Sequence, residues 1–301
     1  LNQIQACFQQ VAKGDLDAKY QPMKLGLEIN DIGEAYNDTL DKLKTVMEEM
    51  KTAKVNEEVL AKELALGQEV QHSLLPTLMH KSSQLEAAGK FVSAKHVGGD
   101  CYDFFEEVDR DSHFFFISDT AGKGVMACLY ALNIRSLIRA YSSSHEPIGN
   151  IVMKTNETFL ADTGESGIFV TSWLGRFDHQ TKRLSYVNVG HPPTLVKKAN
   201  GRVDQLTTDG IAFGVISLDQ VEVKEVTLES GDILILYTDG VIEAQNSQGE
   251  CYGMERLLAF VRGISTDDPY EFSDLIHENV MKFSEGEEQF DDLTLLVIKV
   301  H

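Results

Sequence analysis

Ile233-Leu-Ile-Leu-Tyr-Thr-Asp-Gly240 has no polar residue between Ile233 and Tyr237, and so reads as a strand buried on both faces. The strand runs into Thr238-Asp239-Gly240, a carboxylate at a strand mouth followed by glycine where the backbone must turn sharply. Alone, this is explained equally well as an ordinary strand-to-turn boundary, where Asp-Gly is common. The pattern recurs, however. Phe114-Phe-Phe-Ile-Ser118 runs into Asp119, and Asp291-Asp292 opens the closing apolar run from Leu293 to Val300. Gly98-Gly99-Asp100 stands just before Cys101-Tyr102-Asp103-Phe104. If these strands share one sheet or sandwich edge, Asp100, Asp119, Asp239 and Asp291 converge.

The rest of the chain from about Gln84 follows from the same spacing rules. Strands are expected at Leu85 to Val92, Asp103 to Val108, His113 to Ser118, Ile168 to Phe177, Arg183 to Val189, Pro193 to Lys198, Glu222 to Leu228 and Leu293 to Val300. Helices are expected from Val125 to about Tyr141, Ile148 to Leu160, Met254 to Gly263 and Pro269 to Phe283, with a loop at Ser142 to Pro147. Runs of strands interrupted by helix pairs point to α+β architecture, two packed sheets with helices outside.

Composition narrows the function. With 43% hydrophobic residues in 301, the chain has ample material for a core. A net charge of −20 excludes a nucleic-acid partner, because a phosphate backbone needs a basic surface. Cys7, Cys101, Cys128 and Cys251 have no paired spacing. They predict neither a zinc site nor disulfides but small buried side chains in a reducing compartment. No apolar run approaches about 18 residues and no signal peptide is visible. A start at Leu1 is what a fragment of a longer protein would show.

The first 80 or so residues differ from the remainder. Leu1 to Lys13 reads as an amphipathic helix carrying Ile4, Phe8 and Val11, broken by Gly14-Asp15. A connector through Pro22 and Gly26 leads to Asp31-Ile32-Gly33-Glu34 and a second helix. Its apolar positions Ile32, Tyr36, Leu40, Leu43, Met47 and Met50 fit a heptad seam. Lys54 and Glu57 interrupt that seam before Ala61 and Leu64 resume it, and Pro76 ends the helix. Gly14-Asp15-Leu16 and Asp31-Ile32-Gly33-Glu34, with Asn37 and Leu40, resemble a HAMP signalling module. Asn30-Asp31 stands where that family has an Asp-Glu pair. The resemblance implies a HAMP-like module at 1–45, a coiled-coil linker at 46–78 and a parallel homodimer. It also implies a membrane-spanning segment upstream, making this the cytoplasmic part of an inner-membrane protein.

Four converging aspartates have a chemical consequence. Two like charges about 5 Å apart repel by roughly 3 kcal/mol at an effective dielectric of about 20. Two divalent cations would balance four carboxylates. An all-oxygen donor set without His or Cys selects Mg²⁺ or Mn²⁺ over zinc. Such a pair activates water for attack on a phosphoester without a protein nucleophile.

Six motifs in order then resemble the RsbU/SpoIIE branch of the metal-dependent (type-2C) serine/threonine protein phosphatases. They are Glu69-Val-Gln-His-Ser-Leu-Leu-Pro76, Val97-Gly-Gly-Asp-Cys-Tyr-Asp103, Asp119-Thr-Ala-Gly-Lys-Gly124, Asn188-Val-Gly-His-Pro-Pro193, Tyr237-Thr-Asp-Gly-Val-Ile-Glu243 and Asp291-Asp-Leu-Thr294. The resemblance implies a β-sandwich flanked by antiparallel helix pairs over 79–301. It implies that Asp119 bridges two metals, that Asp100 serves one, and that Asp239 and Asp291 serve the other. The carbonyl of Thr120 adds a ligand, and Asp292 is the alternative to Asp291. The implied substrate is a phosphorylated STAS-type anti-anti-sigma protein in a partner-switching pathway. Cys101 replaces a usual aromatic, and Ala121 stands where the branch often has Ser and eukaryotic relatives a His, so the leaving-group proton donor is unassigned. The rival readings are a phosphatase-like scaffold without activity and a nucleotide cyclase using Gly98-Gly99-Asp100, which lacks a base-recognition pattern.

Other polar residues read more plainly. His191 is expected as a hydrogen-bonded loop histidine rather than an acid, Lys95 and His96 as a solvated strand end, and Lys123 as part of the turn placing Asp119. Glu243 is either a supporting acid near Asp239 or a helix-start acid. Phe114 to Phe116 are expected in the core, and Trp173 in the core or a dimer surface.

Overall fold

The computed structural model describes residues 2–22, 24, 27–76, 79–143, 146–164 and 166–301 and divides into two units, Leu1–Ala65 and Leu66–His301. In the first unit, α1 (Asn2–Ala12) precedes a long α2 (Leu27–Leu74), whose last turns from Leu66 belong to the second unit. The helix begins ahead of the expected Asp31, and Gly26 of the connector lies outside the described residues. Ile4 and Cys7 of α1 pack with Tyr20, Tyr36 and Leu40 into a small core. Asn37 clamps the connector, accepting from the Tyr20 amide at 2.8 Å and donating to its carbonyl at 3.0 Å. Gly33 is required here: a Cβ would fall 1.9 Å from the Tyr20 ring. Thus Tyr36 and Leu40, two positions of the expected seam, are used inside the chain, while Ile32, Leu43, Met47 and Met50 stay exposed. Among the described residues no helix is long and apolar enough to cross a membrane.

The second unit contains β1 (Met79–Lys81), β2 (Leu85–Val92), β3 (Asp100–Glu107), β4 (Ser112–Thr120), α3 (Val125–Ser142) and α4 (Ile148–Thr163). It continues through β5 (Val170–Asp178), β6 (Arg183–Val189), β7 (Thr194–Lys197), β8 (Val203–Leu206), β9 (Lys224–Thr227) and β10 (Ile233–Tyr237). It closes with a short α5 (Asp239–Ile242), α6 (Gly253–Gly263), α7 (Pro269–Phe283) and β11 (Leu293–Val300). One sheet has the order β1-β2-β11-β10-β7-β8 and the other β3-β4-β5-β6-β9, with every pairing antiparallel. This is α+β, as expected. Sequence reading missed the short β1 and β8 and started β3 at Asp103, whereas Asp100 is already paired with Asp119.

The strand at 233 is buried on both faces because its side chains alternate between two cores. Leu234 and Leu236 join the core shared by both sheets, with Phe115, Trp173, Leu296 and Ile298. Ile233, Ile235 and Tyr237 face the other way, into a second core with Leu257, Val261, Phe272 and Ile276 of α6 and α7. β11 alternates likewise, with Leu293, Leu295 and Val297 in the second core. Each such side chain contributes about 1.5–3 kcal/mol by leaving water. Ala131, Ile134 and Ile138 of α3 and Ile151, Val152 and Phe159 of α4 join the first core beside the β3–β4–β5 sheet. Trp173 is fully buried, stacked between Phe115 and Tyr186, with its indole N–H donating to the Leu206 carbonyl. Cys7, Cys101 and Cys128 are buried free thiols, but Cys251 is exposed, contrary to expectation, because it sits in the Gln245–Cys251 bridge outside both cores.

Candidate metal centre

Two aspartates come from each sheet. Asp100 opens β3 and Asp119 is near the end of β4, and the two are direct partners across the antiparallel ladder. Asp239 is the first residue of α5, immediately beyond β10, and Asp291 lies just ahead of β11. β10 and β11 are neighbours, with Tyr237 opposite Leu295. Three glycines permit the close approach. A Cβ on Gly240 would lie 1.9 Å from the Asp292 carbonyl, one on Gly98 2.4 Å from the Asp292 carboxylate, and one on Gly99 3.0 Å from the Thr120 carbonyl.

The carboxylates feel one another. Asp119 is pushed up to about 7, first by burial and then by the charges of Asp239 and Asp291. Asp239 rises to about 6 through burial, Glu243 and Asp291. Asp100, 1% exposed, is pushed well above the usual carboxylate range by burial and then by Asp119 and Asp292. Two hydroxyls partly oppose this by donating to the same Asp100 oxygen, Thr238 at 2.8 Å and Thr294 at 2.5 Å. The Thr238 hydroxyl in turn accepts from the Thr294 amide at 3.1 Å.

The two adjacent aspartates before β11 behave differently. Asp292 is 6% exposed and both its oxygens are engaged, accepting from the Ala94 amide at 2.8 Å and the Gly99 amide at 2.6 Å. It holds the Gly98-Gly99 backbone in place. The amide of Gln71, in the last turns of α2, braces Gly98 from the other side, donating to its carbonyl at 2.9 Å and accepting from its N–H at 3.2 Å. Asp291 accepts from the Asp292 amide at 2.9 Å with one oxygen and turns the other to Lys123, 3.1 Å away. The Lys123 ammonium also donates to the Phe290 carbonyl and lies 3.7 Å from the Phe290 ring centre.

The remaining candidates separate clearly. Lys95 and His96 are exposed. Glu243 ends α5, its amide bonded to the Asp239 carbonyl at 2.8 Å, so it is not a helix-start acid. Thr120 closes β4 with its amide bonded to the Gly99 carbonyl, and its buried hydroxyl has no hydrogen-bond partner. Among the described residues no three His, Cys, Asp or Glu side chains are drawn together as a ready metal cage. The donor set is nevertheless one that suits hard divalent cations: oxygens only, with mutual repulsion that cations would relieve.

Sequence reasoning passed over Thr238 and Thr294, although both stand inside quoted motifs beside the aspartates. It also passed over Asp103, which is fully buried and paired with Arg139 at 2.5 Å and Arg135 at 3.1 Å, anchoring α3 to β3.

A family model described as Stage II sporulation protein E (SpoIIE) matches residues 109–301. Protein IcfG of Synechocystis sp. is 27% identical over 318 residues, covering 96% of this chain and 49% of that protein. Phosphoserine phosphatase RsbU of Bacillus subtilis is 25% identical over 259 residues, covering 84% of this chain and 74% of RsbU. This chain thus spans about half of IcfG. Among solved structures, the SiaA-PP2C domain of Pseudomonas aeruginosa shares the fold, with TM-score 0.69 and 20% identity over 81% of this chain and 98% of that one.

Proposed function

The chain belongs to the SpoIIE family, and from that premise we propose that it is a divalent-metal-dependent serine/threonine protein phosphatase. The observation that carries this reading is the pairing of Asp100 with Asp119 on one sheet close enough to Asp239 and Asp291, at strand ends of the other, that the charges of those two raise the Asp119 carboxyl. Asp100, Asp119, Asp239 and Asp291, with the main-chain oxygen of Thr120, would hold two Mn²⁺ or Mg²⁺ ions. Once bound, such ions supply an activated water and neutralise charge on the phosphoryl group.

The chain's own residues prepare that site. Thr238 and Thr294 fix one Asp100 oxygen. Asp292 spends both oxygens on backbone amides, whereas Asp291 gives one to the Asp292 amide and the other only to the Lys123 ammonium, which a cation can displace, and this favours Asp291 as the ligand of the adjacent pair. Lys123 already supplies one positive charge at Asp291. Burial pushes His191 down to about 3, and both its ring nitrogens are taken up inside the fold, by Tyr237 and Thr171.

The substrate we propose is a phosphorylated STAS-type anti-anti-sigma protein in a partner-switching pathway, supported by the likeness to phosphoserine phosphatase RsbU. A signalling role for residues 1–45, pairing of two chains through 46–78 and attachment to an inner membrane by a further segment belong to the same proposal. They rest on the HAMP resemblance. The test is Mn²⁺-dependent dephosphorylation of a panel of phosphorylated STAS proteins by the full chain, with Asp119→Ala and Asp239→Ala as controls. Release of phosphate that needs manganese and is lost in both variants supports the proposal. Turnover on no substrate favours the scaffold reading, and turnover indifferent to both substitutions refutes the aspartate site.

A further inference from the structure

His191 lies in the crossing between β6 of one sheet and β7 of the other, and it is 6% exposed. The motif around it is a built turn. The Asn188 side chain accepts from the His191 amide at 2.7 Å and donates to its carbonyl at 2.8 Å. Asn188 is itself fixed by Thr208, whose hydroxyl accepts from the Asn188 amide at 2.7 Å. Gly190 supplies the positive φ of 77° that the turn needs. The backbone is therefore set before the ring makes any contact.

The ring touches both sheets. Nε2 is 3.1 Å from the Tyr237 carbonyl, at the end of β10, and Nδ1 is 2.9 Å from the Thr171 hydroxyl, in β5. A carbonyl only accepts, so Nε2 carries the proton. Nδ1 of the neutral ring must then accept, and Thr171 donates. Burial favours the neutral imidazole. Both partners lead to metal carboxylates. Thr171 is the cross-strand partner of Asp119. Tyr237 precedes Thr238, which holds Asp100, and Asp239 follows directly.

We infer that His191 is a positioning residue for the metal centre, a strut that ties β5, the strand paired with the Asp119 strand, to the strand end carrying Thr238 and Asp239. This rests on the phosphatase reading to the extent that those carboxylates take divalent cations. The strut fixes how far apart the two halves of the ligand set stand, and so acts on cation affinity more than on folding.

Mn²⁺ titration by calorimetry on the full chain separates this from a merely structural histidine, alongside thermal unfolding in chelator. His191→Asn keeps an acceptor near Nδ1 but cannot reach Tyr237, and is expected to weaken Mn²⁺ binding about ten-fold. His191→Gln, whose terminal amide reaches as far as Nε2, is expected to restore most of it. Thr171→Val, which removes the hydroxyl with little change of volume, is expected to weaken binding about three-fold. Equal Mn²⁺ affinity in His191→Asn and the parent, or equal losses in the Asn and Gln variants, would overturn the inference. If both histidine variants fail to fold, unchanged affinity in Thr171→Val overturns it. A parent chain with no saturable Mn²⁺ binding refutes the phosphatase reading and takes the strut with it.

Discussion

Replacing Asp119 with Asn should stabilise the metal-stripped protein at neutral pH and above. The folded carboxyl is pushed up to about 7, from the 3.8 of an ordinary aspartate. Between those values the folded form keeps a proton that the unfolded chain has released, so stability falls as pH rises through the window and the loss is complete above 7. At 1.36 kcal/mol per pH unit, a shift of 7 − 3.8 = 3.2 corresponds to about 4 kcal/mol. Water at the strand mouth screens part of this, and the step is shared with Asp100 and Asp239, which leaves ~2 kcal/mol for one substitution. For a unit of this size that is about 4–8 °C in Tm. Asn keeps the shape and can donate to the Asp100 carboxyl. Calorimetric melts in chelator across pH 5 to 8 should show the parent losing Tm as pH rises and Asp119→Asn losing less. The variant should melt above the parent at pH 8. Added Mn²⁺ should reverse the order, because only the parent regains stability by binding. An unchanged pH slope in Asp119→Asn, or a lower Tm than the parent at pH 8 in chelator, would refute the repulsion argument.

Asp292→Ala should cost about 1–3 kcal/mol in urea unfolding, since it strands the buried Gly99 amide and frees the part-buried Ala94 amide, and Asp292→Asn should cost less by keeping one acceptor. Gly240→Ala should abolish Mn²⁺ binding by calorimetry and lower Tm, because its Cβ would fall 1.9 Å from the Asp292 carbonyl. Lys123→Met should tighten Mn²⁺ binding roughly five-fold, about 1 kcal/mol, by removing the ammonium that competes for Asp291. No change or a loss of affinity in that variant would show that Lys123 helps the cation rather than displacing it.

The aspartates were legible because each interrupts or borders a run too apolar to be anything but a buried strand, as at Ile233 to Tyr237 and Phe114 to Ile117. What surrounds them depends on pairings that sequence spacing does not encode. Thr238 and Thr294 meet at Asp100 only because β10 and β11 lie side by side. Asp103 meets Arg135 and Arg139 only once α3 has docked. The short β1 and β8 carry too few apolar residues to show a two-residue period. At Tyr36 and Leu40 the seven-residue spacing was real, but a neighbouring helix of the same chain answers to it as well as a second copy would.

Because each sheet carries two of the four proposed ligands, the acidic set would act as a caliper whose jaws are set by sandwich thickness. The filling between Phe115, Trp173, Leu234 and Leu236 is the shim. Enlarging or shrinking one of those side chains, far from any charge, would retune which ion radius the jaws grip long before the protein came apart.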